Sequence, residues 1–214
     1  MPFGVPKIYP ILDRSFIPAA AGRVEFLRRL GSALADAGVT LLEYRNKTGS
    51  DAELLADGAV LRAALPSGKI KLILDDRVDL VEKMYFDGVH VDAGDASAAE
   101  ARRLLGPERI VGTFGGSASL VEGILAEPAD YLAIGPVYPT TTKKTTKRSI
   151  GVEGVRRLRE QAGAGPVLVA AGGVTLATAA LVLDAGADSV AVSAALFGHP
   201  NPAAEFRKWM GELG

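Results

Sequence analysis

Short apolar runs alternate with amphipathic stretches along the chain. Lys7 to Leu12 reads as a first strand. Arg23 to Ala37 follows with Leu27, Leu30, Leu34 and Ala37 on one helical stripe, which Gly38 stops. Val39 to Arg45 reads as a second strand. Ser50 to Leu65 reads as a helix, with Ser50 and Glu53 in capping-box spacing and Pro66 to Gly68 ending it. Ile70 to Leu74 predicts strand three, and Val78 to Met84 a short helix. Gly88 to Val91 predicts strand four, and Ser97 to Leu105 a helix closed by Gly106 and Pro107. Arg109 to Thr113 predicts strand five, Ser117 to Ala126 a helix, and Tyr131 to Ile134 strand six. A helix from Val152 to Gln161 carries Val152, Val155 and Leu158 on one side. Val167 to Ala170 predicts strand seven. Thr175 caps a helix running to Ala185, Ser189 to Val192 predicts strand eight, and a helix from Pro202 to Met210 comes last.

Eight strand-then-helix units with no break in composition predict an α/β fold, one (β/α)₈ barrel domain over residues 1–214. The length lies at the short end of the roughly 200 to over 400 residues typical of such barrels. A doubly wound open sheet competes with this reading. It often places a glycine-rich phosphate turn after its first strand, where this chain has Asp13-Arg14-Ser15.

Composition narrows the function classes. The net charge of −1 supplies no global field for nucleic acid or an anionic membrane. With no cysteine, disulfides, thiolate chemistry and cysteine-ligated metal are excluded. The two histidines, His90 and His199, argue against a histidine-rich metal site. His90 lies between Val89 and Val91 and reads as a core histidine, and Phe206 and Trp209 read as packing against the barrel. Met1 to Ile11 has no hydrophobic signal core, and no apolar run approaches about 18 residues. The expectation is a cytoplasmic protein acting on small molecules, with no membrane or nucleic-acid partner. The sequence sets no oligomeric state and leaves a homo-oligomer open.

In such barrels the active residues sit at the C-terminal ends of the strands. After strand two, Glu43, Arg45 and Lys47 alternate with Tyr44 and Asn46, so period two puts all three charges on one face toward the barrel mouth. Two cations there suit a diphosphate; a Glu43–Arg45 ion pair with Lys47 in solvent is the simpler alternative. Asp75 and Asp76 follow strand three, and Asp92 and Asp95 follow strand four. Carboxylates on adjacent strand ends can share Mg²⁺, which takes one or two carboxylates plus phosphate oxygens and water. The alternative is that they cap the next helices. After strand six, Gly135-Pro136-Val137-Tyr138-Pro139 leads into Thr140, Thr141, Thr142 and Lys143, hydroxyls and a cation suited to a phosphate. Ala171-Gly172-Gly173 after strand seven and Ser193-Ala194 after strand eight bring bare backbone to the frequent phosphate site of these barrels.

Taken together, these residues resemble the thiamine-phosphate synthase family. The matching segments are Tyr44 to Lys47, Leu74 to Asp76, Asp87 to His90, Gly135 to Lys143, Ala171 to Gly173 and Gly186 to Asp188, in family order over nearly the whole chain. The segment Gly135 to Lys143 is the most specific. The resemblance implies a transferase. It would join 4-amino-5-hydroxymethyl-2-methylpyrimidine diphosphate to a thiazole phosphate alcohol, releasing pyrophosphate by a dissociative path. It implies that Arg45, Lys47 and Lys143 hold the diphosphate and act catalytically, and that Asp76 and Asp95 hold Mg²⁺. Thr140 and Thr142, with backbone at Gly172, Gly173, Val192 and Ser193, would hold the thiazole phosphate. Three positions depart from the family pattern. Glu43 replaces the usual glutamine, Asp75 the usual asparagine, and Phe114-Gly115 stands where a serine touches the pyrimidine. Glu43 is expected to pair with Arg45, and Asp75 to join the metal shell. A thiazole tautomerase, or a regulatory barrel that binds a phosphorylated ligand, are the alternatives.

Overall fold

The computed structural model describes residues 4–19, 21–92, 94–140 and 146–214. Its strands are β1 Ile8–Asp13, β2 Leu41–Arg45, β3 Lys71–Asp75, β4 Gly88–Val91, β5 Ile110–Gly116, β6 Tyr131–Ile134, β7 Leu168–Ala171 and β8 Ser189–Val192. They pair in parallel in sequence order, and β8 returns to β1, closing the barrel. The helices are α1 Arg23–Asp36, α2 Asp51–Ala64, α3 Ala98–Leu105, α4 Gly151–Ala162, α5 Leu176–Asp184, α6 Ala194–Phe197 and α7 Pro202–Leu213. This is the (β/α)₈ barrel that the alternating pattern predicts, and the open sheet is excluded.

Alternation along each strand sorts side chains into two cores. Tyr9, Leu41, Ile73, Ile110, Tyr131, Val169 and Ala191 point inward and fill the barrel. The intervening residues, such as Leu42, Leu72, Leu74, Val89 and Val190, pack outward against the helices. The stripe Leu27, Leu30 and Leu34 of α1 is buried there, as are Phe206 and Trp209 of α7. Each fully buried side chain of this kind contributes roughly 1.5–3 kcal/mol. Because inward residues recur every second position, the next inward residues beyond this core are Glu43, Arg45, Asp75 and His90, at the C-terminal end.

Two expected helices differ. Residues 78–84 form a 3₁₀ turn, Val78–Leu80, followed by turns through Tyr85 in a left-handed conformation. Between β5 and β6, the expected helix from Ser117 is a 3₁₀ turn at Ile124–Ala126. Here β5 runs on to Gly116, and Gly116 then bridges to Leu120. Gly123 adopts a left-handed φ of 74°, which breaks any continuous helix, and Val121 and Leu125 stay exposed. Ser50 caps α2 by accepting from the Glu53 amide, but the Glu53 side chain does not return the bond. It accepts instead from Arg14, Arg23 and Asn46, so the expected capping box is half made. At α5 the Thr175 amide donates to Thr178 Oγ1 and the Thr178 amide to the Thr175 carbonyl, both at 3.0 Å.

Candidate active site

A cavity of about 520 Å³ opens at the C-terminal end of the barrel. On the β2–β4 side it is lined by Glu43, Arg45, Asp75, His90 and Asp92. Across the barrel, Thr140, Gly172, Gly173, Val192 and Ser193 line it. Thr142 and Lys143, expected to contribute to the phosphate and diphosphate sites, lie outside the described residues.

The first side is a charge cluster. Arg45 donates from Nη1 to Asp13 and pairs through Nε with Asp75 at 2.8 Å. Lys47 Nζ lies 3.0 Å from Asp75 and 3.5 Å from Asp95 and also donates to Asp76. Four carboxylates around two cations give the cluster a formal charge of −2. Burial works to lower the Lys47 ammonium, but Asp75 and Asp76 outweigh it and hold it above its usual range. Burial, and the charges of Asp75 and Asp95 behind it, keep Asp76 above the usual carboxylate range despite Lys47. Asp13 falls below that range: burial opposes this, but hydrogen bonds from Ser15 and Arg45 prevail.

Neither Asp76 nor Asp95 caps a helix. The cap of α3 is Ser97, which accepts from the Glu100 amide, while Asp95 accepts from the Asp92 amide at 2.9 Å. Asp76 sits at a φ of 63°, a conformation that aspartate tolerates better than most residues. Its amide donates to the His90 carbonyl at 2.8 Å, which ties the ends of β3 and β4 together. The cluster suits a hard cation in two respects. Carboxylate oxygens converge on one cationic point, Lys47 Nζ, and the residual negative charge calls for a further cation before an anion can enter. Among the described residues no group of three or more ligating side chains forms a metal cage. Mg²⁺ held by one or two carboxylates and substrate oxygens requires none.

The opposite side is made of close-packed backbone. A Cβ on Gly135 would meet the Ala171 carbonyl at 2.2 Å, and one on Gly173 the Pro139 carbonyl at 2.4 Å. Val137 and Tyr138 donate to the carbonyls of Ala171 and Gly172, both at 2.9 Å, which docks the segment carrying Thr140 against the end of β7. Ser193 Oγ is buried with no hydrogen-bond partner among the described residues, a group suited to a ligand oxygen.

The cavity floor corrects the expectation for Glu43. Its carboxyl accepts from the Tyr9 hydroxyl at 2.9 Å and makes no ion pair with Arg45, whose partners are Asp13 and Asp75. The Tyr9 and Tyr131 hydroxyls lie 2.8 Å apart. Burial, then the charge of Asp75, pushes Glu43 up to about 8. His90 is not a core histidine: half-buried, it lines the cavity and stacks on Tyr131 with ring centroids 5.6 Å apart. Phe114 also lines the cavity, with Lys147 Nζ 3.4 Å from its ring centroid. Tyr9, Asp13, Tyr131 and Lys147 were not among the expected site residues. For Tyr9 and Asp13 the signal was present, since period two in β1 points both inward with Ile11.

The thiamine monophosphate synthase family model matches residues 8–196. A thiamine-phosphate synthase of Koribacter versatilis is 39% identical over 206 residues, covering 94% of each chain. One from Agrobacterium fabrum is 34% identical over 190 residues, covering 87% of this chain and 86% of the relative. The solved thiamine phosphate pyrophosphorylase of Pyrococcus furiosus superposes with a TM-score of 0.74 at 30% identity, covering 97% of each chain. With the barrel, the strand-end charges and these likenesses in agreement, the chain belongs to the thiamine monophosphate synthase family of transferases.

Proposed function

We propose that this chain, acting as one barrel domain, is a thiamine-phosphate synthase that joins an aminopyrimidine methyl diphosphate to a thiazole phosphate alcohol. The observation that carries this reading is the presence of two anion-binding sides across one cavity. Arg45 lines one, with Lys47 beside it on Asp75, and the Gly172–Gly173 backbone with Ser193 lines the other. A phosphate isomerase of related fold needs only the second. The two cations of the first side therefore favour the synthase.

In this reading Arg45 and Lys47 turn from their carboxylate partners to the diphosphate, where Lys143 joins them. The bond between the pyrimidine methylene carbon and the diphosphate oxygen breaks, and its electron pair leaves with pyrophosphate. The thiazole nitrogen then donates its lone pair to that carbon, forming the C–N bond. Fixed positive charge at the leaving group lowers this barrier more than a base would. Thr140, Thr142 and backbone at Gly172, Gly173, Val192 and Ser193 hold the thiazole phosphate, orienting the nitrogen. Asp76 and Asp95 would hold Mg²⁺, which supplies charge neutralisation for the diphosphate. A cytoplasmic location belongs to this proposal; no helix among the described residues is long and apolar enough to cross a membrane. The test is turnover with both substrates: formation of thiamine phosphate supports the reading. Isomerisation of a thiazole carboxylate phosphate without it overturns the reading.

A further inference from the structure

Behind the two cations of the diphosphate side lies a buried polar network that the proposed chemistry does not use. Period two turns Arg45 and Lys47 toward the barrel mouth, so Tyr44 and Asn46 face outward to α1 and α2. Tyr44 is fully buried and Asn46 is 3% exposed. Asn46 Nδ2 donates to the Tyr44 hydroxyl at 3.1 Å and to Glu53 Oε1 at 2.9 Å. Its Oδ1 accepts from the amides of Thr48 and Gly49, at 3.3 and 2.9 Å. Two donors and two acceptor sites are all that an asparagine side chain offers, and each is used. The flipped amide would set its nitrogen against two backbone N–H groups, so only this orientation fits. Glu53, drawn away from its own helix cap, also accepts from Arg23 of α1 and from Arg14 after β1. Asp57, one turn along α2, accepts from Tyr44 and Arg23. Gly49 is needed for closeness: a Cβ there would lie 2.4 Å from Asn46 Nδ2.

We propose that Asn46 is a positioning residue for Lys47: tethered to Glu53 of α2, it fixes the chain beyond β2 so that the ammonium meets the diphosphate. The inference rests on the synthase reading. The last ladder pairs of β2 are Arg45 with Asp13 and Tyr44 with Leu74, so sheet pairing stops short of Lys47. The turn closed by Asn46 and its bond to α2 hold that backbone instead. In the free protein Lys47 also rests on Asp75, Asp76 and Asp95. Those contacts are given up when the ammonium turns to the diphosphate. The Asn46 tether involves none of them and persists. A misplacement of about 1 Å costs about a hundredfold in rate, so the chain that carries Lys47 has to be rigid at that moment. Aspartate at this position keeps the acceptor for the Thr48 and Gly49 amides. It loses both donors and sets a carboxylate against Glu53.

Asn46→Asp in the full-length protein therefore breaks the tether and spares the turn. The KM for the pyrimidine diphosphate should rise about tenfold or more, the worth of one charge-assisted contact. The KM for the thiazole phosphate should stay nearly unchanged. A loss of folded protein lowers kcat and moves neither KM. Adding Glu53→Gln to Asn46→Asp exchanges donor and acceptor in the tether and should bring the raised KM back toward the wild-type value. On a Lys47→Ala background Asn46→Asp should have no further effect, because it acts through that lysine. Should Asn46→Asp fail to fold, Gly49→Ala replaces it: the added methyl displaces Asn46 without removing a hydrogen-bonding group, and should give the same KM split. Equal changes in both KM values, no change in either, no recovery in the exchanged pair, or an undiminished effect beside Lys47→Ala would each overturn the proposal. Calorimetric binding of inorganic pyrophosphate with Mg²⁺ separates it from the synthase reading. Without turnover by the wild type that reading falls, and about tenfold weaker pyrophosphate binding by Asn46→Asp still supports the tether. Wild-type turnover with pyrophosphate binding unchanged by Asn46→Asp removes the tether and leaves the synthase.

Discussion

Asp75→Asn should make the protein less stable and a tighter binder of the pyrimidine diphosphate. Asp75 is 4% exposed and touches both cations, Arg45 Nε at 2.8 Å and Lys47 Nζ at 3.0 Å. Asparagine keeps an acceptor oxygen but not the charge, so the loss is that of charge-assisted hydrogen bonds, about 1–3 kcal/mol. Complete removal of one partner of a buried pair costs about 3–5 kcal/mol. For binding, the cluster's formal charge falls from −2 to −1. A phosphoryl charge about 8 Å from Asp75, at an effective dielectric of about 20, is relieved of about 2 kcal/mol. That is roughly 30-fold in affinity. Urea unfolding reads the first quantity. The KM for the pyrimidine diphosphate, at saturating thiazole phosphate, reads the second. A KM that rises or stays unchanged while stability falls would refute the argument and assign Asp75 to the metal shell.

Three further outcomes are expected. Glu43 has its pKa raised from 4.5 to about 8 in the fold, so its stabilisation is complete below pH 4.5 and is lost as pH rises through 8. Its contribution is at most about 5 kcal/mol, and melting curves at pH 5 and 8 should converge in Glu43→Gln. Gly173→Ala places a Cβ 2.4 Å from the Pro139 carbonyl at a φ of 67°, and should raise the KM for the thiazole phosphate while lowering stability by about 1–3 kcal/mol. Activity should require Mg²⁺, and Asp76→Ala or Asp95→Ala should abolish it; full activity in excess chelator would contradict the metal assignment.

The barrel was legible because period two and period 3.6 alternate cleanly, and because charged residues collect after β2 and β3 and small residues after β7 and β8. Arg45, Asp75, Gly172, Gly173 and Ser193 reach the cavity by that rule alone. The partner of Glu43 was not legible. Arg45 is its neighbour in sequence, but Tyr9 reaches it across the β1–β2 register, which pairs Ile11 with Glu43. Competition also mattered, since Asp13 and Asp75 occupy Arg45 and both are remote in sequence. The helix expected from Ser117 failed for a local reason: β5 continues to Gly116, which bridges to Leu120, and Gly123 takes a left-handed φ.

The most direct measurement of the central claim is phosphorus NMR of the purified protein with the pyrimidine diphosphate, the thiazole phosphate and Mg²⁺. The account predicts that the diphosphate signals are replaced by free pyrophosphate in step with thiamine phosphate formation. It also predicts that Arg45→Ala slows both together. Unchanged diphosphate with both substrates present would contradict it.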